Sequence, residues 1–152
     1  HGFRAGTENV AGIVALGYAI EECVAEMDST ASRLKIMVEN TIKGIQKTIP
    51  SVKVNGNTEK RLPGTINLRF DGVSGESLMN LLNLKDVCVS TSSACNSGKD
   101  IPSHVLIALG LSEEQAKSSI RISYGRYNTL EEVETIVEII HKAYIKICNA
   151  SK

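Results

Sequence analysis

Two short stretches, Thr65-Ile66-Asn67-Leu68-Arg69-Phe70 and Ser119-Ile120-Arg121-Ile122-Ser123-Tyr124, alternate polar and apolar residues without a break. A period of two puts the apolar members on one side of an extended chain and the polar members on the other. Each stretch therefore reads as a strand with one covered face, and the chain must supply something to cover it. The rest of the sequence offers helices. Leu34, Met37, Val38, Thr41 and Ile45 recur at helical spacing before Pro50 ends the run. Upstream, Val10, Ile13, Val14, Gly17, Ile20, Val24 and Met27 recur at spacings of three and four, which places them on one face of a helix. Asp28 or Ser29 can break or cap between the two, so one long bent helix and two helices both remain open.

Shorter signals fill in the order. Val52 and Val54 flank Lys53 as a strand, and Asn55-Gly56-Asn57 reads as a turn. Pro63-Gly64 leads into the first alternating strand. Residues 75–84 read as a helix with Leu78, Leu81 and Leu82 inward, and Val87-Cys88-Val89-Ser90 as a short strand. Residues 91–101 form a loop rich in Ser, Gly and Asn. Pro102 suits the first position of a helix that reaches Leu109 and stops at Gly110. Ser112-Glu113-Glu114-Gln115 has capping-box form, as does Thr129-Leu130-Glu131-Glu132, which opens a long amphipathic helix. That helix carries Leu130, Val133, Ile136, Val137, Ile140, Tyr144 and Ile147. The expected fold is an α/β two-layer sandwich, a small mainly antiparallel sheet with helices packed on one face. No Rossmann or Walker glycine loop, internal repeat or low-complexity linker occurs, so residues 1–152 read as one domain.

Composition narrows the function. Aromatic residues are 4% of the 152, with no Trp, so Ile, Val, Leu and Ala must build the core. Lys plus Arg and Asp plus Glu are 17 each, a net charge of zero, so no global field draws the chain to nucleic acid or anionic lipid. No run of eighteen apolar residues predicts a membrane helix, and no signal peptide is readable. The chain opens at His1 rather than Met, which suggests a piece of something longer. Cysteines at 23, 88, 95 and 148 have neither disulfide-framework nor zinc-ligand spacing, so free thiols in a reducing, cytoplasmic setting and no metal site are expected.

Three places could carry chemistry. Cys23 and Cys148 fall in helices and Cys88 in a strand, where a thiol reads as a small buried hydrophobe. Cys95 lies instead in Ser92-Ser93-Ala94-Cys95-Asn96-Ser97-Gly98, where small neighbours leave sulfur accessible. The residues alone allow a nucleophile or an incidental loop cysteine. Arg121 interrupts an apolar strand; it either faces solvent or holds a carboxylate through two parallel hydrogen bonds. Arg126, in the following turn, reads as a solvated charge. Arg4-Ala5-Gly6-Thr7-Glu8-Asn9 precedes the first helix and suits either an anion site or an ordinary cap. His104 and His141 read as structural or exposed.

Four stretches, in order, together resemble the C-terminal part of the pyridoxal-phosphate-dependent cysteine desulfurases of the NifS/IscS type, within the class V aminotransferases. They are His1-Gly2-Phe3-Arg4-Ala5-Gly6-Thr7-Glu8-Asn9, then Leu62-Pro63-Gly64-Thr65-Ile66-Asn67, then residues 92–98 followed by Pro102-Ser103-His104-Val105-Leu106, then Ser119 to Arg126. The resemblance spans essentially the whole chain, and its Ser-Ser-Ala-Cys-x-Ser-Gly loop is similar to the longer-loop branch.

The resemblance implies the small C-terminal domain of a fold-type I enzyme that converts L-cysteine to L-alanine. It implies that Cys95 attacks the substrate sulfur and keeps it as a persulfide. Arg121 would bind the substrate carboxylate, and Thr7 would reach the cofactor phosphate across a homodimer interface. A sulfur-accepting scaffold or carrier, for iron-sulfur cluster assembly or another route, would be the partner. The family's Schiff-base lysine and large cofactor domain have no match here, so this piece alone is expected to be inactive. The alternative is a stand-alone thiol or persulfide carrier that performs no catalysis.

Overall fold

The computed structural model describes residues 6–91 and 101–150. The elements run α1 (Val10–Thr48), β1 (Lys53–Val54), β2 (Thr65–Arg69), α2 (Gly75–Asn83), α3 (His104–Ala108), α4 (Glu113–Lys117), β3 (Ser119–Ser123) and α5 (Glu131–Ala150). Among the described residues the strands form one antiparallel sheet in the order β1-β2-β3. Ile66 and Leu68 from β2, with Ile120 and Ile122 from β3, are buried against Met37, Val38, Ile45, Leu78, Leu82, Val133 and Ile140 from the helices. The alternation in both strands thus selects the covered face, and the two-layer α/β arrangement follows.

The two N-terminal helical stretches are one helix. Residues 28–31 carry no glycine or proline to interrupt it, and Ser29 and Ser32 turn their hydroxyls back onto the carbonyls of Glu26 and Asp28. At 39 residues α1 is roughly 58 Å long, whereas a five-residue strand spans roughly 17 Å. Only its second half meets the sheet and α5; Met37, Val38, Thr41 and Ile45 are its buried residues. The apolar face of the first half is not covered: Val10, Ile13, Val14, Ile20, Val24 and Met27 are all at least half exposed. The spacing was a true apolar stripe, but that half of α1 extends past the layer that would bury it.

Close approaches fix the layers. A Cβ at Gly44 would lie 3.0 Å from Val137 on α5, and one at Gly75 only 2.7 Å from the Lys117 carbonyl and 2.8 Å from that of Ser119. Gly64, in the Pro-Gly turn before β2, lies under the Tyr124 carbonyl, 2.6 Å from where a Cβ would be. Tyr124 is buried and shares a 2.7 Å hydrogen bond between its hydroxyl and that of Thr41, which in turn donates to the Met37 carbonyl.

Two local expectations are corrected. Residues 87–90 do not form a strand; the pairing there is a single bridge between Ser90 and Arg121. The turn after α2 explains this: Asp86 is left-handed, with φ 59°, and the Val87 N–H is spent on the Leu82 carbonyl. The helix expected from Pro102 begins at His104, because Ser103 takes an extended cap conformation and its carbonyl accepts the Ile107 N–H. The Ser112 capping box is complete, with Ser112 Oγ accepting from Gln115 N–H and Gln115 Oε1 from Ser112 N–H. Before α5, the Glu132 carboxylate accepts from the Thr129 N–H and the Asn128 side chain.

Candidate functional site

The face of the sheet turned away from the core is polar. Thr65, Asn67 and Arg69 on β2 lie opposite Ser123, Arg121 and Ser119 on β3. Arg121 is exposed, while its strand neighbours Ile120 and Ile122 are buried. A strand with one residue in two committed to the core must present the intervening side chain to the other side. The charge at 121 therefore stands on the open face without disturbing the packing beneath it.

Backbone pairing adds a neighbour. Arg121 N–H donates to the Ser90 carbonyl at 2.6 Å, and Ser90 N–H donates to the Arg121 carbonyl at 3.0 Å. Both backbone groups of Arg121 are thereby used toward Ser90. On its other side Arg121 faces Asn67 as a pair without hydrogen bonds, the arrangement in which opposed Cα atoms are closest, about 4.5 Å apart. Asn55 N–H donates to the Asn67 carbonyl at 2.9 Å, so Asn55, Asn67, Arg121 and Ser90 form one row across the sheet. The Asn55 side-chain amide donates to Asn67 Oδ1 at 2.7 Å and to Ser119 Oγ at 3.0 Å, and Ser119 Oγ donates to the Gln115 carbonyl at 2.7 Å. Arg69, the neighbouring cation, is occupied by Asp71 at 2.8 Å.

The turn after β3 is tied to α1. The Arg33 guanidinium donates to the carbonyls of Asn128 and Arg126. Arg126 is not the solvated charge expected: it pairs with Glu22 at 3.2 Å and Glu26 at 3.0 Å, one turn apart on α1, and stacks over Tyr127. Its hydrogen bond and charge hold the Glu22 carboxyl below its ordinary pKa and raise its own. Burial pushes the Tyr124 phenol above its ordinary value, partly offset by the bond to Thr41.

Thr7 is exposed, two residues ahead of Asn9, whose side chain accepts from the Gly12 N–H and caps α1. The first turn of α1 has no acidic side chain. Thr7 precedes α1 and Arg121 lies on β3. Cys95 lies outside the described residues. The other thiols depart from the buried expectation: Cys23 and Cys88 are exposed, and Cys148 is half-buried against the core. Cys23 sits on the uncovered half of α1, and Cys88 in the segment that fails to become a strand. Cys88 lines a cleft of 640 Å³ with Lys85, Tyr124, Asn128 and Glu132; Arg121 does not contribute to it. Among the described residues no helix is long and apolar enough to cross a membrane.

The row of Asn55, Asn67 and Ser119 behind Arg121 was not singled out from sequence. Alternation put Asn67 and Arg121 each on a polar side, but only register makes them neighbours.

Comparison with known proteins agrees with this architecture. The chain is 43% identical over 148 residues to cysteine desulfurase IscS of Methanosarcina thermophila, covering 97% of this chain and 36% of that protein. It is 44% identical over 146 residues to cysteine desulfurase IscS of Anaeromyxobacter sp. (strain K), again over 36% of its length. The chain thus spans little more than a third of these curated relatives. The crystal structure of a NifS-like protein from Rickettsia africae superposes with a TM-score of 0.79 at 32% identity, covering 93% of this chain and 36% of that one. The family model for aminotransferase class-V matches residues 1–136, most of the sequence, and the chain belongs to that family.

Proposed function

We propose that this chain is the C-terminal domain of a pyridoxal-phosphate-dependent cysteine desulfurase, a cytoplasmic homodimer that converts L-cysteine to L-alanine. The observation that carries the reading is the place of Arg121: exposed on the open face of the sheet, and hydrogen-bonded in both backbone directions to Ser90. Ser90 is five residues before Cys95, so the chain between them spans at most about 17 Å. A carboxylate gripped by Arg121 and the thiol at 95 are therefore tethered to the same edge of the sheet.

Arg121 offers a planar fork of donors matched to the two oxygens of the substrate carboxylate. Cys95, as thiolate, attacks the sulfur of the bound cysteine. A sulfur–sulfur bond forms as the substrate carbon–sulfur bond breaks; the electron pair stays with the substrate, which is protonated and leaves as alanine. Cys95 then carries the persulfide to a sulfur-accepting scaffold or carrier, for iron-sulfur cluster assembly or another acceptor.

Pyridoxal phosphate, when bound, supplies the electron sink for this cleavage. Thr7 is the residue of this chain proposed for its phosphate: an exposed hydroxyl two residues ahead of the Asn9 cap of α1, whose first turn carries no acidic side chain although Glu8 adjoins the cap. In the dimer Thr7 would serve the partner's cofactor. The lysine that anchors the cofactor is proposed to lie elsewhere in the whole protein, since every lysine among the described residues is solvent-exposed. The chain alone should then retain no stoichiometric cofactor absorbance after incubation and desalting, and a stable band would contradict this.

The deciding experiment uses the whole protein. Cys95→Ser should abolish alanine release and remove the one-sulfur mass increment from the peptide containing residue 95, with cofactor content unchanged. Turnover at the parental rate, or the added sulfur on another cysteine, would reject the assignment.

A further inference from the structure

We propose that Asn67 is a second carboxylate-binding residue, donating a hydrogen bond beside Arg121 from an amide held in one orientation by Asn55. The inference rests on the role proposed for Arg121. Asn67 and Arg121 are opposed residues on the same face, in the closer of the two antiparallel pair types. An asparagine amide has one acceptor end and one donor end. Here the acceptor end is taken: Asn55 Nδ2 donates to Asn67 Oδ1 at 2.7 Å. Asn55 is itself fixed by its second bond to Ser119 Oγ, whose hydrogen goes to the Gln115 carbonyl.

This chain of bonds has a direction. Each member donates onward except Asn67, which receives at Oδ1 and keeps its two N–H groups for the other side of the amide. The Asn55 amide bridges Asn67 Oδ1 and Ser119 Oγ, so the Asn67 N–H groups are directed away from that bond, on the face that Asn67 shares with Arg121. Asn67 and Arg121 cannot bond each other there, because both present donors. Two donor groups side by side, with Asp71 drawn off by Arg69 and Lys53, suit an anion with several lone pairs. A carboxylate fits that description: the guanidinium takes both oxygens, and the amide takes a remaining lone pair from the strand beneath.

The test measures equilibrium binding to the whole protein of two small amines that differ by a carboxylate, L-alanine and ethylamine. Asn67→Ala should weaken L-alanine roughly ten- to hundredfold, the loss of one hydrogen bond to a charged group, and leave ethylamine unchanged. Asn67→Asp keeps the acceptor for Asn55 and the side-chain shape but replaces the donor with a negative charge. It should weaken L-alanine further than Asn67→Ala, again sparing ethylamine, with an unaltered melting temperature. With cysteine, the Asn67→Ala change should appear mainly in KM. Equal losses for both amines would show a purely structural residue and overturn the proposal, as would unchanged L-alanine binding. Arg121→Ala identifies which reading has failed. If it weakens L-alanine while the Asn67 variants do not, only the role of Asn67 falls; if it too leaves L-alanine untouched, the carboxylate site itself is wrong.

Discussion

At the scale of single residues, strand position explains how a cation can be functional without disturbing the fold. Arg121 costs the core nothing because its neighbours Ile120 and Ile122 occupy the buried face. Replacing it should therefore change recognition rather than stability. In the whole enzyme Arg121→Ala should lower kcat/KM for cysteine roughly ten- to hundredfold, corresponding to about 1.5–3 kcal/mol for a charge-assisted pair. Arg121→Lys keeps the charge but loses the fork and should recover only part of this. Lys142→Ala, on the exposed face of α5, serves as the neutral comparison. A kcat/KM for Arg121→Ala matching that of Lys142→Ala would reject the role. Arg126 is unsuited as a comparison because its ion pairs with Glu22 and Glu26 tie the turn after β3 to α1.

At the scale of elements, the period of the pattern was legible and its covering was not. Alternation located β2 and β3 and named their core-facing residues, although Arg69 and Ser119 on the polar side are buried as well, and both capping-box sequences marked helix starts. A sequence period says which side of an element is apolar; it does not say whether a neighbour reaches that side. This is why the apolar face from Val10 to Met27 is nevertheless exposed, and why Cys23 and Cys88 read as buried. Register is equally silent in sequence, so the row from Asn55 to Ser90 emerged only from the pairing. The glycine contacts are of the same kind. Gly75→Ala would push a Cβ against the carbonyls of Lys117 and Ser119, backbone that enters β3. A loss of about 1–3 kcal/mol is expected, read as a lowered urea midpoint at unchanged slope. An unchanged midpoint would mean the α2–β3 approach relaxes freely. The segment joining β3 to α5 should also be acid-sensitive. Glu22 and Glu132 are held below the ordinary carboxylate pKa, by Arg126 and by the Asn128 side chain respectively. Folded values below unfolded ones mean stability present above the ordinary carboxylate pKa and lost as pH falls through the lowered values. Glu132→Gln should therefore flatten the decline in melting temperature between neutral and acid pH, and an identical decline would remove Glu132 from this role.

At the scale of the whole molecule, the distribution of contacts along α1 divides one helix into two halves of different stability. From Met37 to Ile45 its inward residues are wholly buried, and Gly44 brings it against Val137 of α5. At Glu22, Glu26 and Arg33 it is held to the turn after β3. From Val10 to Glu21 every residue is exposed, and the helix has its Asn9 cap but no packed face. A helical segment of about a dozen residues is marginal in water without tertiary support. It also carries Val10, Ile13, Val14 and Ile20, an apolar stripe that gains nothing from solvent. In the chain by itself, amides of residues 10–21 should exchange hydrogen within seconds, while those of 37–49 exchange orders of magnitude more slowly. In the whole protein, which by the reading above supplies a large domain beside this helix, both halves should be protected. Hydrogen exchange on the two samples decides the matter. Strong protection of residues 10–21 in the chain alone would mean that the stripe finds a partner in a second copy, visible as a concentration dependence. Rapid exchange there in both samples would mean that the whole protein leaves this half of α1 uncovered.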